Sequence, residues 1–295
     1  MSLAPRVVIV TRRTELEELL ARHSTRGQAA FFLSTRGRSI DELEARHDAQ
    51  QQALARVSSA IPLDWRQGSV ERGDLDRFLF AAGDVVVVVG QDGLVANVAK
   101  HLDGQAVLGV DAEPGRNPGV LVTHRPSAVA GILAHLDERP ALRRSLVEAV
   151  TDDGQRLLAL NEIYLGQPGQ QTARYRVTPP GGAAERQASS GLLVGSGTGA
   201  TGWCRSVWLE RGGPVELPAP DEPALTWFVR EAWPSPVTGT SHTCGRLARE
   251  EELAVEIESD RLVVFGDGLE SDALTVTWGQ RVLVRLASTT LRHIL

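Results

Sequence analysis

Residues 85–94 constrain the fold of this chain more than any other stretch. Val85-Val86-Val87-Val88-Val89 is a short run of β-branched side chains, apolar at every position. That is the pattern of a strand buried on both faces of a parallel sheet. Gly90-Gln91-Asp92-Gly93 follows as a tight turn with exposed main chain, and Leu94 to Leu102 reads as a helix. The order strand, turn, helix sets one carboxylate, Asp92, at the carboxyl end of a parallel strand. Ligands of open α/β sheets bind at that edge, and helix N-termini there favour phosphate.

The flanking sequence carries the same alternation. Arg6 to Thr11 reads as a short apolar strand, and Thr14-Glu15-Leu16-Glu17 as a capping box opening a helix to about His23. Phe31-Phe32-Leu33 reads as a second strand. Ser39-Ile40-Asp41-Glu42 opens a long helix ending before Pro62. Leu75 to Phe80 is an amphipathic piece leading into the valine strand. Gln105 to Val110 is a further strand, Asp111 to Gly119 a loop of turn formers, and Ser127 the cap of a helix to about Leu136. Strands separated by helices imply a Rossmann-like α/β domain with a parallel, doubly wound sheet.

From about residue 141 helix signals thin out. Short strands are expected at Arg156 to Leu165, Ala173 to Thr178, Gly191 to Val194, Leu253 to Ile257, Arg261 to Phe265, Leu274 to Trp278 and Arg281 to Leu286. Pro179-Pro180-Gly181-Gly182 reads as a hairpin loop. This half is expected to be an antiparallel β domain.

Composition removes several function classes. The chain has 295 residues, room for about two domains. No run is long and apolar enough for a membrane-crossing helix. Met1 to Arg6 lacks a basic-then-apolar leader pattern, and the two cysteines, Cys204 and Cys244, lie far apart. The expected compartment is a reducing one, the cytoplasm. Net charge is −6 with no basic stripe, which sets nucleic-acid binding aside. Lys100 is the single lysine. A Walker-type phosphate loop, which needs Gly-Lys-Ser/Thr, is therefore excluded, as is any Schiff base not made by Lys100.

Beside Asp92, three other stretches bear on function. Ser189 to Trp203 is a small-residue loop after an apolar strand, and its glycines and hydroxyls would let a ligand lie against main-chain N–H groups. Asn161-Glu162 ends the apolar run Leu157 to Leu160 and can hydrogen-bond a ribose diol or a base edge, or simply form a strand-end turn. Phe265-Gly266-Asp267-Gly268 repeats the strand-then-Asp-Gly pattern and reads as a hairpin turn. His242-Thr243-Cys244 suggests a metal pair, but no second pair has ligand spacing. The histidines are read as structural and no protein metal site is expected.

Taken in order, Gly90 to Gly93, Asn161-Glu162 and the Ser189 to Trp203 loop resemble the NAD kinase family. Asn161 to Gly166, Ser189 to Leu192, Gly197 to Gly199, and Gly109-Val110-Asp111 with Pro114, Arg116 and Gly119 are most similar to its divergent mitochondrial type. The resemblance implies an α/β nucleotide-binding domain over residues 1–140, with 287–295 packing back on it. An antiparallel β-sandwich over 141–286 would bind NAD. It implies transfer of the ATP γ-phosphate to the adenosine 2′-hydroxyl of NAD, with magnesium on the ATP. Asp92 would be the base. Gly90, Gln91, Gly93, Asn161, Glu162, Ser190, Gly197, Thr198, Gly199, Thr201 and Gly202 would contact nucleotide. A homodimer or homotetramer is implied. Gln91 and Leu94 stand where the family pattern has glycine and threonine, and Ser190 where many members have aspartate. Two other readings share the scaffold: a catalytically silent NAD or nucleotide-binding regulator, and a lipid or sugar kinase of the wider superfamily.

Overall fold

The computed structural model describes residues 4–116, 119–169 and 171–295. Met1–Leu3 of the opening stretch and Asn117-Pro118 of the turn-rich loop lie outside the described residues. The chain forms two compact units, one of residues up to Leu142 together with Arg292–Leu295, the other Arg143–Leu291.

The first unit runs β1 (Arg6–Thr11), α1 (Glu15–His23), α2 (Arg26–Ser34), α3 (Ile40–Ser59), β2 (Arg66–Glu71), β3 (Asp84–Gly90), α4 (Asp92–Ala99), β4 (Ala106–Asp111) and α5 (Val129–Ala134). Its strands are parallel in the order β2-β1-β3-β4. Every residue of β3 is buried, as the unbroken valine run requires. Val85, Val87 and Val89 join Val7, Ile9, Leu108 and Val110 in one core with Ala53 and Val57 of α3. The Thr14 capping box is formed in full: Thr14 Oγ1 accepts from the Glu17 amide while Glu17 accepts from the Thr14 amide.

Three expectations for this unit are corrected. Phe31-Phe32-Leu33 is helical, part of α2, not a strand. Thr25 caps that helix by accepting from the Gln28 amide. Ala29 and Leu33, four residues apart on one face, pack with Leu16, Leu19, Ile40 and Leu43 of α1 and α3, while Phe31 faces solvent. A three-residue apolar run carries too little periodicity to separate the two states. The second strand is instead β2, whose Arg-Gln-Gly-Ser-Val-Glu composition buries only Val70, as an edge strand can. Ser127 does not cap a helix; it lies inside a single 3₁₀ turn, Pro126–Ala128, ahead of α5.

The second unit holds most of β5 (Ala141–Thr151), then β6 (Arg156–Ala159), β7 (Glu162–Gly166), β8 (Ala173–Thr178), β9 (Glu185–Ser189), β10 (Gly191–Gly195), α6 (Trp203–Glu210), β11 (Leu225–Arg230), β12 (Cys244–Leu247), β13 (Glu252–Ile257), β14 (Arg261–Gly266), β15 (Leu269–Thr277) and most of β16 (Arg281–Ile294). One sheet is antiparallel in the order β12-β11-β10-β7-β14-β15. The other sets β16, β13, β8 and β9 side by side, with β5 pairing β16 and β6. Their inward residues, among them Val147, Tyr175, Val255, Ile163, Val194 and Trp227, make one shared core. This is a sandwich. The expected hairpins are present, Pro179–Gly182 between β8 and β9, and Asp267-Gly268 between β14 and β15. Asp267 and Gly268 take φ of 53° and 68°, the left-handed pair that a two-residue hairpin turn needs.

The elements not anticipated here are β5, β9, β11, β12 and α6. β11 buries apolar side chains on both faces. Leu225, Trp227 and Val229 enter the sandwich core while Phe228 packs on Cys204 and Val207 of α6. At the chain's end Arg292 and His293 of β16 pair in parallel with β4. No helix among the described residues is long and apolar enough to cross a membrane.

Candidate functional site

In the first unit the strand order 2-1-3-4 creates a switch point. The chain leaves β1 for β2 on one side and returns to β3 on the other. The connections diverge at the carboxyl ends of β1 and β3, which opens a crevice there. Two cavities occupy this edge. One, about 210 Å³, is lined by Arg12 and Arg13 after β1, by Thr14 and Glu18, and by Arg46 and Gln50 of α3. The other, about 380 Å³, is lined by Asp92, Gly93, Asp111, Glu113 and Gly119. Gly90 and Gln91 border both. The walls are tied down: Gln50 Nε2 donates to the Val89 carbonyl at 2.9 Å, and Arg46 bridges Glu15 and Glu113.

Asp92 is the first residue of α4, and Gln91 holds the cap position without a side-chain bond. The Asp92 carboxylate turns to a neighbouring segment. Oδ2 accepts from the Val120 amide at 2.7 Å, and Oδ1 accepts from the Leu121 and Val122 amides at 2.9 Å each. That segment lies hard against β4: a Cβ on Gly109 would sit 1.9 Å from the Leu121 carbonyl oxygen. A carboxylate offers about four lone-pair positions. Three are used, and the remaining one belongs to Oδ2. Leu94 is buried beneath the turn, packed into the core and not among the residues that line either cavity.

In the second unit Asn161 lies between β6 and β7 and Glu162 opens β7, both held by Asp267 of the β14–β15 turn. Its carboxylate accepts from the Leu160 amide at 2.8 Å and the Asn161 amide at 2.7 Å, and its own amide donates to the Glu162 carbonyl at 3.1 Å. Burial pushes the Glu162 carboxyl up to about 8, and the Asp267 charge adds to the rise. Glu162 is therefore protonated at neutral pH and can donate as well as accept.

The small-residue loop packs directly on this pair. The Ser196 amide donates to the Asn161 carbonyl at 2.9 Å, and Ser196 Oγ donates to the Leu160 carbonyl while accepting from the Thr198 and Gly199 amides. A Cβ on Gly199 would lie 2.1 Å from the Asn161 oxygen, and one on Gly197 would lie 1.8 Å from the Ala219 oxygen. These two glycines admit the protein's own backbone, and two of the amides counted on for an anion are taken by Ser196. Thr198 is buried, its hydroxyl within reach of Arg144. Thr201 and Gly202 face outward.

The fold thus gathers Gly90, Gln91, Asp92 and Gly93 at one edge of the first unit. In the second it gathers Asn161, Glu162 and residues 196–202. Ser190 stands apart from that second group. It precedes β10 while Ser196 follows it, a separation of about 20 Å along an extended strand. The reading from sequence missed Asp267 as the anchor of Asn161, although its Asp-Gly turn was visible. It also missed Arg12 and Arg13, whose only signal is a position just after the first parallel strand. Among the described residues no three acidic, histidine or cysteine side chains converge as a metal cage.

No family model matches the chain. The chain is 26% identical over 216 residues to a NAD kinase of Ralstonia nicotianae (strain ATCC BAA-1114 / GMI1000), an alignment covering 71% of this chain and 67% of that protein.

Proposed function

We propose that this chain, which is similar to a NAD kinase, belongs to that family and transfers the γ-phosphoryl group of ATP to the adenosine 2′-hydroxyl of NAD, giving NADP. The observation that carries the reading is Asp92: a carboxylate at the carboxyl edge of a parallel sheet, oriented by three amides, with one Oδ2 lone pair unused, on the wall of an open cavity. That lone pair would take the proton as the hydroxyl attacks. The three amides fix its direction, so no reorientation is needed when the hydroxyl arrives.

Phosphoryl transfer asks a protein mainly for positioning and charge neutralisation. Asn161 and protonated Glu162 would grip a ribose or adenine through paired donors and acceptors. Thr201 and Gly202 would contact the same ligand, with Thr198, Gly197 and Gly199 supporting the loop from behind. Magnesium carried with the donor's phosphates would offset their charge, keeping most of its waters.

The test is direct. The protein is incubated with ATP, magnesium and NAD, and NADP is followed against an Asp92→Asn control. NADP formed by the parent and lost in the variant supports the reading. No NADP above the control, with NAD still bound, overturns it in favour of a silent nucleotide binder.

A further inference from the structure

The 210 Å³ cavity on the β1 side of Gln91 has no part in the roles assigned so far. It sits at the switch point between β1 and β3, where open α/β sheets take their ligands. Its chemistry is set by arginine, since the chain has one lysine and that lysine, Lys100, lies elsewhere. Several arginines around the three helices are committed: Arg26 to Glu44, Arg38 to Glu15, Arg46 to Glu15 and Glu113. Arg12 and Arg13 are not, and unlike Arg22, Arg36 and Arg56, which also lack a carboxylate partner among the described residues, they stand at this cavity. Both are exposed and line the cavity, and neither guanidinium meets a carboxylate among the described residues.

The neighbouring helix end does not supply an anion site by itself. Thr14 already caps α1, and its first turn carries Glu15, Glu17 and Glu18. An anion here must be held by the two guanidinium groups, whose planar forks match phosphate oxygens. The cavity is smaller than the roughly 300–1,000 Å³ of pockets that take a whole ligand. Arg12, Arg13 and Arg46 outnumber the two carboxylates on its wall, Glu15 and Glu18, so a phosphate chain fits that size and charge better than a base or a sugar. Across Gln91 the second cavity is bordered by Asp92, Asp111 and Glu113 and, among the described residues, by no cationic side chain. It repels phosphate and suits a hydroxyl.

We propose that the two cavities divide the reactants, with Arg12 and Arg13 holding the polyphosphate of the donor on the β1 side of Gln91 and the acceptor hydroxyl on the Asp92 side. This rests on the kinase reading above, and Gln91 becomes the partition across which the phosphoryl group passes.

The experiment titrates inorganic tripolyphosphate into the full chain by calorimetry and measures KM for ATP and for NAD separately. Arg12→Ala, Arg13→Ala and the double variant are compared with the parent. Arg139→Ala, an exposed arginine outside the cavity, is the control. Each single variant is expected to weaken tripolyphosphate binding and raise KM for ATP by about tenfold or more, as loss of a charged hydrogen bond implies. KM for NAD should stay within about twofold of the parent, and Arg139→Ala should behave as the parent does. Arg12→Lys with Arg13→Lys, which keeps the charge, should recover part of the loss and covers the case in which the alanine variants fold poorly. Tripolyphosphate binding unchanged in the double variant overturns the inference, as does an equal rise in both KM values. If the parent makes no NADP yet loses tripolyphosphate binding in the double variant, the kinase reading falls while the anion site stands.

Discussion

Asp92 carries two duties that substitution can separate. As a base it needs the free lone pair on Oδ2; as an anchor it needs all three accepted amides. Asp92→Ala removes everything. The Val120 amide lies on a residue 39% exposed and can turn to water, but Leu121 and Val122 are 2% and 5% exposed and their amides would be stranded. A buried unsatisfied donor costs about 1–3 kcal/mol, so the segment should lose about 2–6 kcal/mol of local stability. Asp92→Asn keeps an acceptor for the two buried amides and gives up the charge and the exposed bond, about 1–2 kcal/mol. Hydrogen exchange at Leu121 and Val122 reads the difference directly. Alanine should cut their protection by roughly thirtyfold or more, and asparagine by far less. Turnover should fall by about 10²–10⁴ in both. Unchanged exchange at Leu121 and Val122 in Asp92→Ala would refute the anchor. Turnover retained within about tenfold in Asp92→Asn would refute the base.

Three further outcomes are expected. The Glu162 carboxyl is raised to about 8 in the folded chain against an ordinary 4.5, so between those values the unfolded chain binds fewer protons. Stability should fall as pH rises through that window and level off above it. Glu162→Gln should therefore melt progressively higher than the parent from pH 5 to 8.5, and parallel melting curves across that range would argue against a buried, protonated Glu162. Gly199→Ala forces a Cβ to within 2.1 Å of the Asn161 oxygen. It should cost about 1–3 kcal/mol in denaturant titration and raise KM for NAD by displacing Asn161, which a glycine serving only chain flexibility would not do. Gln91→Gly removes the partition from a cap position that makes no side-chain bond. Stability should change by only a few tenths of a kcal/mol, and initial rates should show a higher kcat/KM for ATP; a fall would mean that the amide helps hold the donor.

Where structure follows from neighbours a few residues apart, the sequence determined it. Five valines specify a doubly buried strand, Thr14 and Glu17 close a capping box, and Asp267-Gly268 forms a hairpin turn. Each rests on local backbone preference or a partner within one turn of chain. Tertiary structure decided the rest. Phe31 to Leu33 is helical because Ala29 and Leu33 find a shared apolar face on α1 and α3, which no three-residue pattern contains. Gly197 and Gly199 could be seen as small but not as spaces for Ala219 and Asn161. The two Asp-Gly turns look alike on paper. Folding brings residues 120–122 to Asp92 and residues 160–161 to Asp267, across 28 to 107 positions of chain. A carboxylate's chemistry is written in its residue type; the amides it accepts from, and so the one lone pair it has left, depend on which distant backbone the packing delivers.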